Sequence, residues 1–249
     1  MFIEYLFDQY TKYFIFYCNF NIKYKLFLNY KFEKIKSLKL VKIIRLIFNN
    51  NFNQIINNDN LKYLRKCSRI SLKSCNNSFI NEELKYLTSC KKLSLSNSSC
   101  ITGNGLKYIP KLNWVYLCNN KNFNNFQYMN NLERIEIYSN KFIRDNNFKY
   151  FVNCKILCLG NCLRVTGSEF RCLNKCKKIV LYGHHLRIKN EYLNGFDKIC
   201  FVRNQFMFME LNELDRCLDR CMKIELIKCS ITLEDIKKLK NYQKFNLIN

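Results

Sequence analysis

Apolar residues return along this chain with a period much longer than that of a helix or a strand. Between residues 84 and 102 they fall at Leu84, Leu87, Cys90, Leu93, Leu95 and Ile101. Between residues 148 and 166 they fall at Phe148, Phe151, Cys154, Leu157, Leu159 and Val165. Both stretches place apolar anchors at positions 1, 4, 7, 10, 12 and 18 of one unit. Units start at Ile35, Leu61, Leu84, Leu106, Phe126, Phe148, Phe170, Asn190, Asp215 and Ile236, at intervals of 20 to 26 residues. Position 10 reads Ile44, Ile70, Leu93, Val115, Ile135, Leu157, Ile179, Ile199, Ile224 and Phe245; position 12 reads Leu46, Leu72, Leu95, Leu117, Ile137, Leu159, Leu181, Phe201, Leu226 and Leu247. All twenty are apolar in a chain that is 48% apolar, so the repeat decides the architecture.

Positions 10 and 12 differ by two, which puts both side chains on one face of a short strand and positions 9, 11 and 13 on the other. No unit can bury its apolar row alone, so neighbours must stack, with strands about 4.8 Å apart. The best-formed units read Cys154-x-x-Leu157-x-Leu159-x-x-Cys162-x-x-Val165-Thr166 and Cys90-x-x-Leu93-x-Leu95-x-x-Ser98-x-x-Ile101-Thr102. This resembles the leucine-rich repeat in its cysteine-containing variety, over residues 35 to 249. Most units are about four residues shorter than that variety, which leaves room for a single turn of helix. The resemblance implies an α/β leucine-rich-repeat solenoid with about ten short parallel strands on a concave face and short helical or 3-10 turns on a convex one. It also implies a hydrogen-bonding ladder at position 15, which holds Asn49, Cys75, Ser98, Asn120, Asn140, Cys162, His184, Asn204 and Cys229.

Residues 1 to 34 lie outside the repeat and are rich in aromatics, among them Phe2, Tyr5, Phe7, Tyr10, Tyr13 and Phe14. They read as a cap over the first repeat's core. The alternative is a degenerate F-box, because cysteine-containing repeats follow one in ubiquitin-ligase substrate receptors and residues 2 to 6 loosely echo its opening, without the proline.

Charge and composition change this picture only in part. There are 42 Lys and Arg against 19 Asp and Glu, a formal charge of +23. Such a balance favours acidic partners, nucleic acid or anionic surfaces. Asn, Lys, Ile, Phe and Tyr abound, Pro numbers 1 and Ala is absent, the pattern AT-rich coding imposes, so part of the charge reflects codon usage. The composition and the cysteine-bearing repeats resemble leucine-rich-repeat proteins of AT-rich amoebae and of the large DNA viruses that infect them. Glu4 and Asp8 stand where a secretory leader would carry basic residues, and the longest apolar runs fall short of the roughly 18 residues of a membrane span. The expected setting is therefore intracellular and cytoplasmic (host cytoplasm for a viral protein), without membrane association and with reduced thiols.

The 15 cysteines include no C-x-x-C pair, and eight fall on repeat positions 7 and 15, so the repeat rather than a metal accounts for them. His184 and His185 are the only histidines, with no catalytic motif around them. Neither a cofactor, a metal nor catalysis is expected. The candidate site is the concave face. Position 9 carries a basic stripe that includes Arg69, Lys92, Trp114, Arg134, Lys178 and Lys198; positions 11 and 13 add Tyr116, Glu136, Tyr138 and Tyr182. Adjacent strands would set the chain's single Trp, Trp114, beside Tyr116, Arg134, Glu136 and Tyr138. Trp, Tyr and Arg are the residue types that dominate interface energetics.

These residues point to a non-enzymatic protein-protein interaction module that binds a partner with an acidic segment on the concave face. The F-box resemblance implies a more specific role, substrate recognition for a cullin-type ubiquitin ligase, with a cullin-adaptor protein bound through residues 1–34. A basic nucleic-acid-binding surface is the second alternative. Against it, no recognised nucleic-acid motif is present, and Trp114, Ile156 and Glu136 break the stripe.

Overall fold

A computed structural model describes residues 14–16, 25–28, 43–47, 62–73, 81–98, 101–183, 188–204, 213, 215 and 221–248. The chain divides into two compact units, Met1–Tyr128 and Met129–Asn249. In the first, β1 (Phe14–Phe16) runs antiparallel to β2 (Lys25–Leu28), and β2 is parallel to β3 (Ile43–Ile47). The parallel series continues through β4 (Arg69–Lys73), β5 (Lys92–Ser96) and β6 (Trp114–Cys118). The second unit holds β7 (Arg134–Tyr138), β8 (Ile156–Gly160), β9 (Lys178–Tyr182), β10 (Lys198–Val202), β11 (Lys223–Ile227) and β12 (Phe245–Ile248), all parallel in sequence order. The fold is a leucine-rich-repeat solenoid. Apart from the backbone of β1 and β2, the segment read as a cap or a degenerate F-box lies outside the described residues, as do His184 and His185.

Register follows the hydrophobic pattern. Ile70 pairs with Leu93 and Leu93 with Val115; in the second unit Ile135, Leu157, Ile179, Ile199, Ile224 and Phe245 form one continuous row. A slip of one residue would turn every one of these side chains to the other face. The six anchors of the unit starting at Leu84 are at most 1% exposed, and the six of the unit starting at Phe148 are all at 0%. One row ends differently: Lys244, expected at the start of a strand, closes a 3-10 turn (Tyr242–Lys244) through its N–H to Asn241 O at 2.9 Å, and the strand begins at Phe245.

The opposite side of each unit is built from single turns, as the short unit length requires. These include the 3-10 turns Asn81–Tyr86, Gly103–Tyr108, Asp145–Tyr150 and Phe170–Cys172 and the one-turn helix α1 (Leu233–Lys237). Successive turns pack closely. A side chain at Gly103 would place its Cβ 1.4 Å from Asn125 O, so only glycine fits there. In the second unit phenylalanines fill the gap between turns, with Phe148 to Phe170 ring centroids at 4.9 Å and Phe170 to Phe196 at 5.6 Å. The Thr of the repeat motif ties unit to unit: Thr102 N–H donates to Asn81 Oδ1 at 2.9 Å, and Thr166 Oγ1 donates to Asp145 Oδ2 at 2.9 Å.

Strands β5 to β11 end at the same corner. Asn97, Asn119, Ser139, Asn161, Gly183, Arg203 and Lys228 all have positive φ, between 51° and 81°, and all occupy position 14. Asn and glycine tolerate this left-handed region best, and they hold four of the seven corners. The corner turns position 15 inward to cap backbone from the neighbouring turn. Asn120 Nδ2 donates to Leu95 O at 2.9 Å and Asn204 Nδ2 to Leu181 O at 3.0 Å; Cys162 and Cys229 place thiols in the same role.

Candidate functional site

Strand alternation leaves positions 9, 11 and 13 on the outer face of each sheet, and the two units fill that face differently. In the first unit Arg69 is exposed, while Lys92, Trp114 and Tyr116 are half-buried. Lys92 Nζ sits 4.0 Å from the centroid of the Trp114 ring, a cation-π contact worth about 0.5–1 kcal/mol when partly exposed. The same face carries Ser71, Ser94 and Ser96, with Cys118 at the end of β6.

The second unit presents a grid of three positions on five strands. Along position 11 run Glu136, Cys158, Val180, Cys200 and Glu225; Cys158, Val180, Cys200 and Val202 form a buried apolar cluster, against which Tyr138, Ile156, Tyr182 and Ile227 pack. At one margin Arg134 Nε is 2.7 Å from Glu136 Oε1, and the Tyr138 hydroxyl approaches Glu136 Oε2 at 3.5 Å. At the other margin Glu225 accepts from Lys198 and lies 3.3 Å from Lys223 Nζ. Glu136 is 7% exposed and Glu225 9%, so removing the cation from either would leave a buried carboxylate without its ion-pair partner. Burial pushes the Glu225 carboxyl up, but hydrogen bonds from Lys198 and Lys223 outweigh this and hold it below its ordinary value of 4.5.

Gly160 shapes the middle of this face. Its bare Cα lets Tyr138 of β7 and Tyr182 of β9 meet across β8, with ring centroids 5.2 Å apart at 72°. A Cβ at Gly160 would stand 2.6 Å from Tyr138 Cδ1 and 3.0 Å from Tyr182 Cβ. Burial raises both phenols above their usual pKa, so they remain neutral hydrogen-bond donors.

The thiols do structural work. Those of Cys67, Cys90, Cys154, Cys176 and Cys221 each donate to the carbonyl two residues on, at 3.2 to 3.4 Å. Burial pushes Cys90 and Cys158 up to about 12 and Cys200 up to about 11, which keeps them protonated and poorly nucleophilic at neutral pH. Among the described residues no group of three His, Cys, Asp or Glu could hold a metal ion, and no helix is long and apolar enough to cross a membrane.

The expected site residues thus fall into two sets, described separately. Arg69, Lys92, Trp114 and Tyr116 lie on the first unit; Arg134, Glu136, Tyr138, Lys178, Lys198 and Tyr182 lie on the second. Within the second, the structure brings Arg134, Glu136, Tyr138 and Tyr182 together, and it commits much of the basic stripe to internal contacts. Sequence reading missed Glu225 and Gly160. The first has a signal: Lys223-x-Glu225 repeats the spacing of Arg134-x-Glu136 and places a cation and a carboxylate on one strand face. Gly160 has only the signal of a glycine inside a strand.

No family model and no curated protein matches the sequence. Solved structures match the fold. An internalin from Listeria monocytogenes aligns with a TM-score of 0.56 at 15% identity, covering 90% of this chain and 66% of its own. A chain of the Toll–Spätzle complex of Drosophila aligns at 0.56 with 10% identity, covering 91% of this chain and 37% of its own. A leucine-rich-repeat protein of Leptospira interrogans aligns at 0.47 with 14% identity, covering 86% of this chain and 62% of its own. This chain therefore spans less than two thirds of the length of each of them.

Proposed function

We propose that this chain is a non-enzymatic interaction module that binds a protein partner on its strand face. The observation that carries the reading is the second unit's face, where apolar and aromatic side chains are framed by ion pairs that are themselves buried. A purely solvated sheet face needs neither. Trp114 and Tyr116 on the first unit, and Tyr138 and Tyr182 on the second, are the anchors this reading assigns. Arg69, Lys92, Lys178 and Lys198 steer a partner with an acidic segment. The fold neighbour from the Toll–Spätzle complex is a protein found in an assembly, which agrees with this use of the scaffold. Free thiols among the described cysteines agree with an intracellular, cytoplasmic setting.

The test is affinity capture with the full chain from nuclease-treated eukaryotic cytoplasmic lysate, compared with the double variant Trp114→Ala/Tyr138→Ala. Loss of a few kcal/mol of affinity for the captured protein is expected if these are anchors. Unchanged capture by a folded double variant would remove the site assignment. A cullin adaptor among the captured proteins would favour the ligase reading through residues 1–34, whereas the antiparallel β1–β2 pair favours a cap. Capture that depends on nucleic acid and falls steeply with salt would favour the basic-surface reading.

A further inference from the structure

We infer that the strand face of the second unit takes an extended protein segment that rests an apolar side chain against Ile156 and Tyr182, over the closed floor of Cys158, Val180 and Cys200, and sets a carboxylate on Lys178. This rests on the interaction-module reading above and gives its partner a chemistry.

The floor is three strands wide, β8 to β10, which at about 4.8 Å per strand is roughly 10 Å. That width admits one or two side chains. The carboxylate at each margin is paired, Glu136 with Arg134 and Glu225 with both Lys198 and Lys223. Lys178 differs from these cations. It is half-buried at the head of β9, and among the described residues no carboxylate comes within ion-pair distance of it. Its charge reaches Cys158, Cys200 and Glu225, but Glu225 is hydrogen-bonded by Lys198 and Lys223 instead. One cation beside an apolar floor, with a carboxylate at each margin, suits a single acidic side chain. A polyphosphate backbone would meet Glu136 and Glu225 as it crossed the floor, and of the three lysines that head β9 to β11, Lys198 and Lys223 are already engaged by Glu225.

Geometry adds a spacing. Lys178 and Val180 are two residues apart on β9, about 6.6 Å along the strand. An extended partner lying along β9 presents same-face side chains at the same period, so its carboxylate and its apolar anchor should stand two residues apart. Tyr182 and Ile156, packed at the rim of the floor, flank the anchor.

The experiment is panning of phage-displayed random dodecapeptides against the full chain, repeated with folded Lys178→Glu, Lys178→Gln and Tyr182→Ala full-length variants. The expected result is enrichment of peptides with Asp or Glu two residues from a large apolar side chain. Lys178→Gln should weaken them about tenfold, the effect of one lost ion pair of about 1.4 kcal/mol. Lys178→Glu should replace the acidic preference with Lys or Arg while the apolar preference stays, a switch that mere loss of stability would not produce. Peptides that need Tyr182 but show no acidic preference would overturn this inference and leave the interaction reading standing. Peptides indifferent to both Lys178 and Tyr182 would overturn both, and absence of any enrichment would overturn the inference that a linear segment binds here.

Discussion

At the middle position of β4 to β6 the first unit carries Ser71, Ser94 and Tyr116, while at that of β7 to β11 the second carries Glu136, Cys158, Val180, Cys200 and Glu225. The inward rows of β4 to β11 are alike in both units, all Ile, Leu, Val or Phe and at most 6% exposed. The outward rows are not. In the first unit the face is polar and half-open, with one aromatic-cation pair. In the second it is a nearly dry layer whose two carboxylates, Glu136 and Glu225, are paired in place. One backbone plan therefore supports two surface chemistries, because the inward rows alone hold the stack together. The outward rows are free to diverge.

The comparison can be broken most sharply by placing the same charge at the same position in each unit. Val180→Asp puts a carboxylate into the dry floor and should cost about 3 kcal/mol or more. Ser94→Asp, at the equivalent place on β5, should cost about 1 kcal/mol or less. Urea denaturation of both variants measures the difference, and equal losses would mean that the two faces are not distinct. Gly160→Ala comes next, at about 1–3 kcal/mol, because its Cβ overlaps the Tyr138 ring. The loss should shrink in the Gly160→Ala/Tyr138→Ala double variant, a non-additivity that a thermal-melt cycle would detect.

Thiol reactivity separates the faces without mutation. Cys118 on the first face is partly exposed, whereas Cys158 and Cys200 are 3% and 2% exposed and held protonated. Peptide-resolved alkylation of the native protein should label Cys118 faster by about tenfold or more, with the difference abolished in denaturant. Acid should weaken the second face selectively. The folded Glu225 carboxyl lies below 4.5, so its stabilisation is complete above that pH and fades as pH falls through the folded value. Unfolding midpoints of the parent should fall across that acid range more than those of Glu225→Gln. The smallest effect expected is a gain. Arg203→Gly relieves a left-handed non-glycine corner and should add about 1 kcal/mol, read as a rise in melting temperature.

Much of this was legible in the sequence, for an identifiable reason. Burial of positions 10 and 12 is a one-dimensional property, so Leu93, Leu95, Leu157 and Leu159 could be placed in the core, and Lys92, Trp114 and Tyr138 on the opposite face, by counting alone. The corner was half-legible, through Asn97, Asn119, Asn161 and Gly183, and concealed where Arg203 and Lys228 occupy it. Pairing was not legible. Whether Lys198 faces solvent or Glu225 depends on side-chain rotamers across a strand gap, and the meeting of Tyr138 with Tyr182 depends on what Gly160 lacks. The basic stripe thus looked like a row of free cations, and the structure turns several of them into the braces of a dry face.

The left-handed corner has a consequence for how such a chain can change. From β5 to β11 the corner falls five residues after the strand's first residue, as from Lys92 to Asn97 or from Lys223 to Lys228, although units differ in length. Length variation is therefore confined to the stretch between one corner and the next strand. Residues gained or lost there leave the pitch of the strand-face grid untouched. Whole units can be duplicated, deleted or exchanged while every surviving row keeps its address, so a new surface can be composed from rows that already exist.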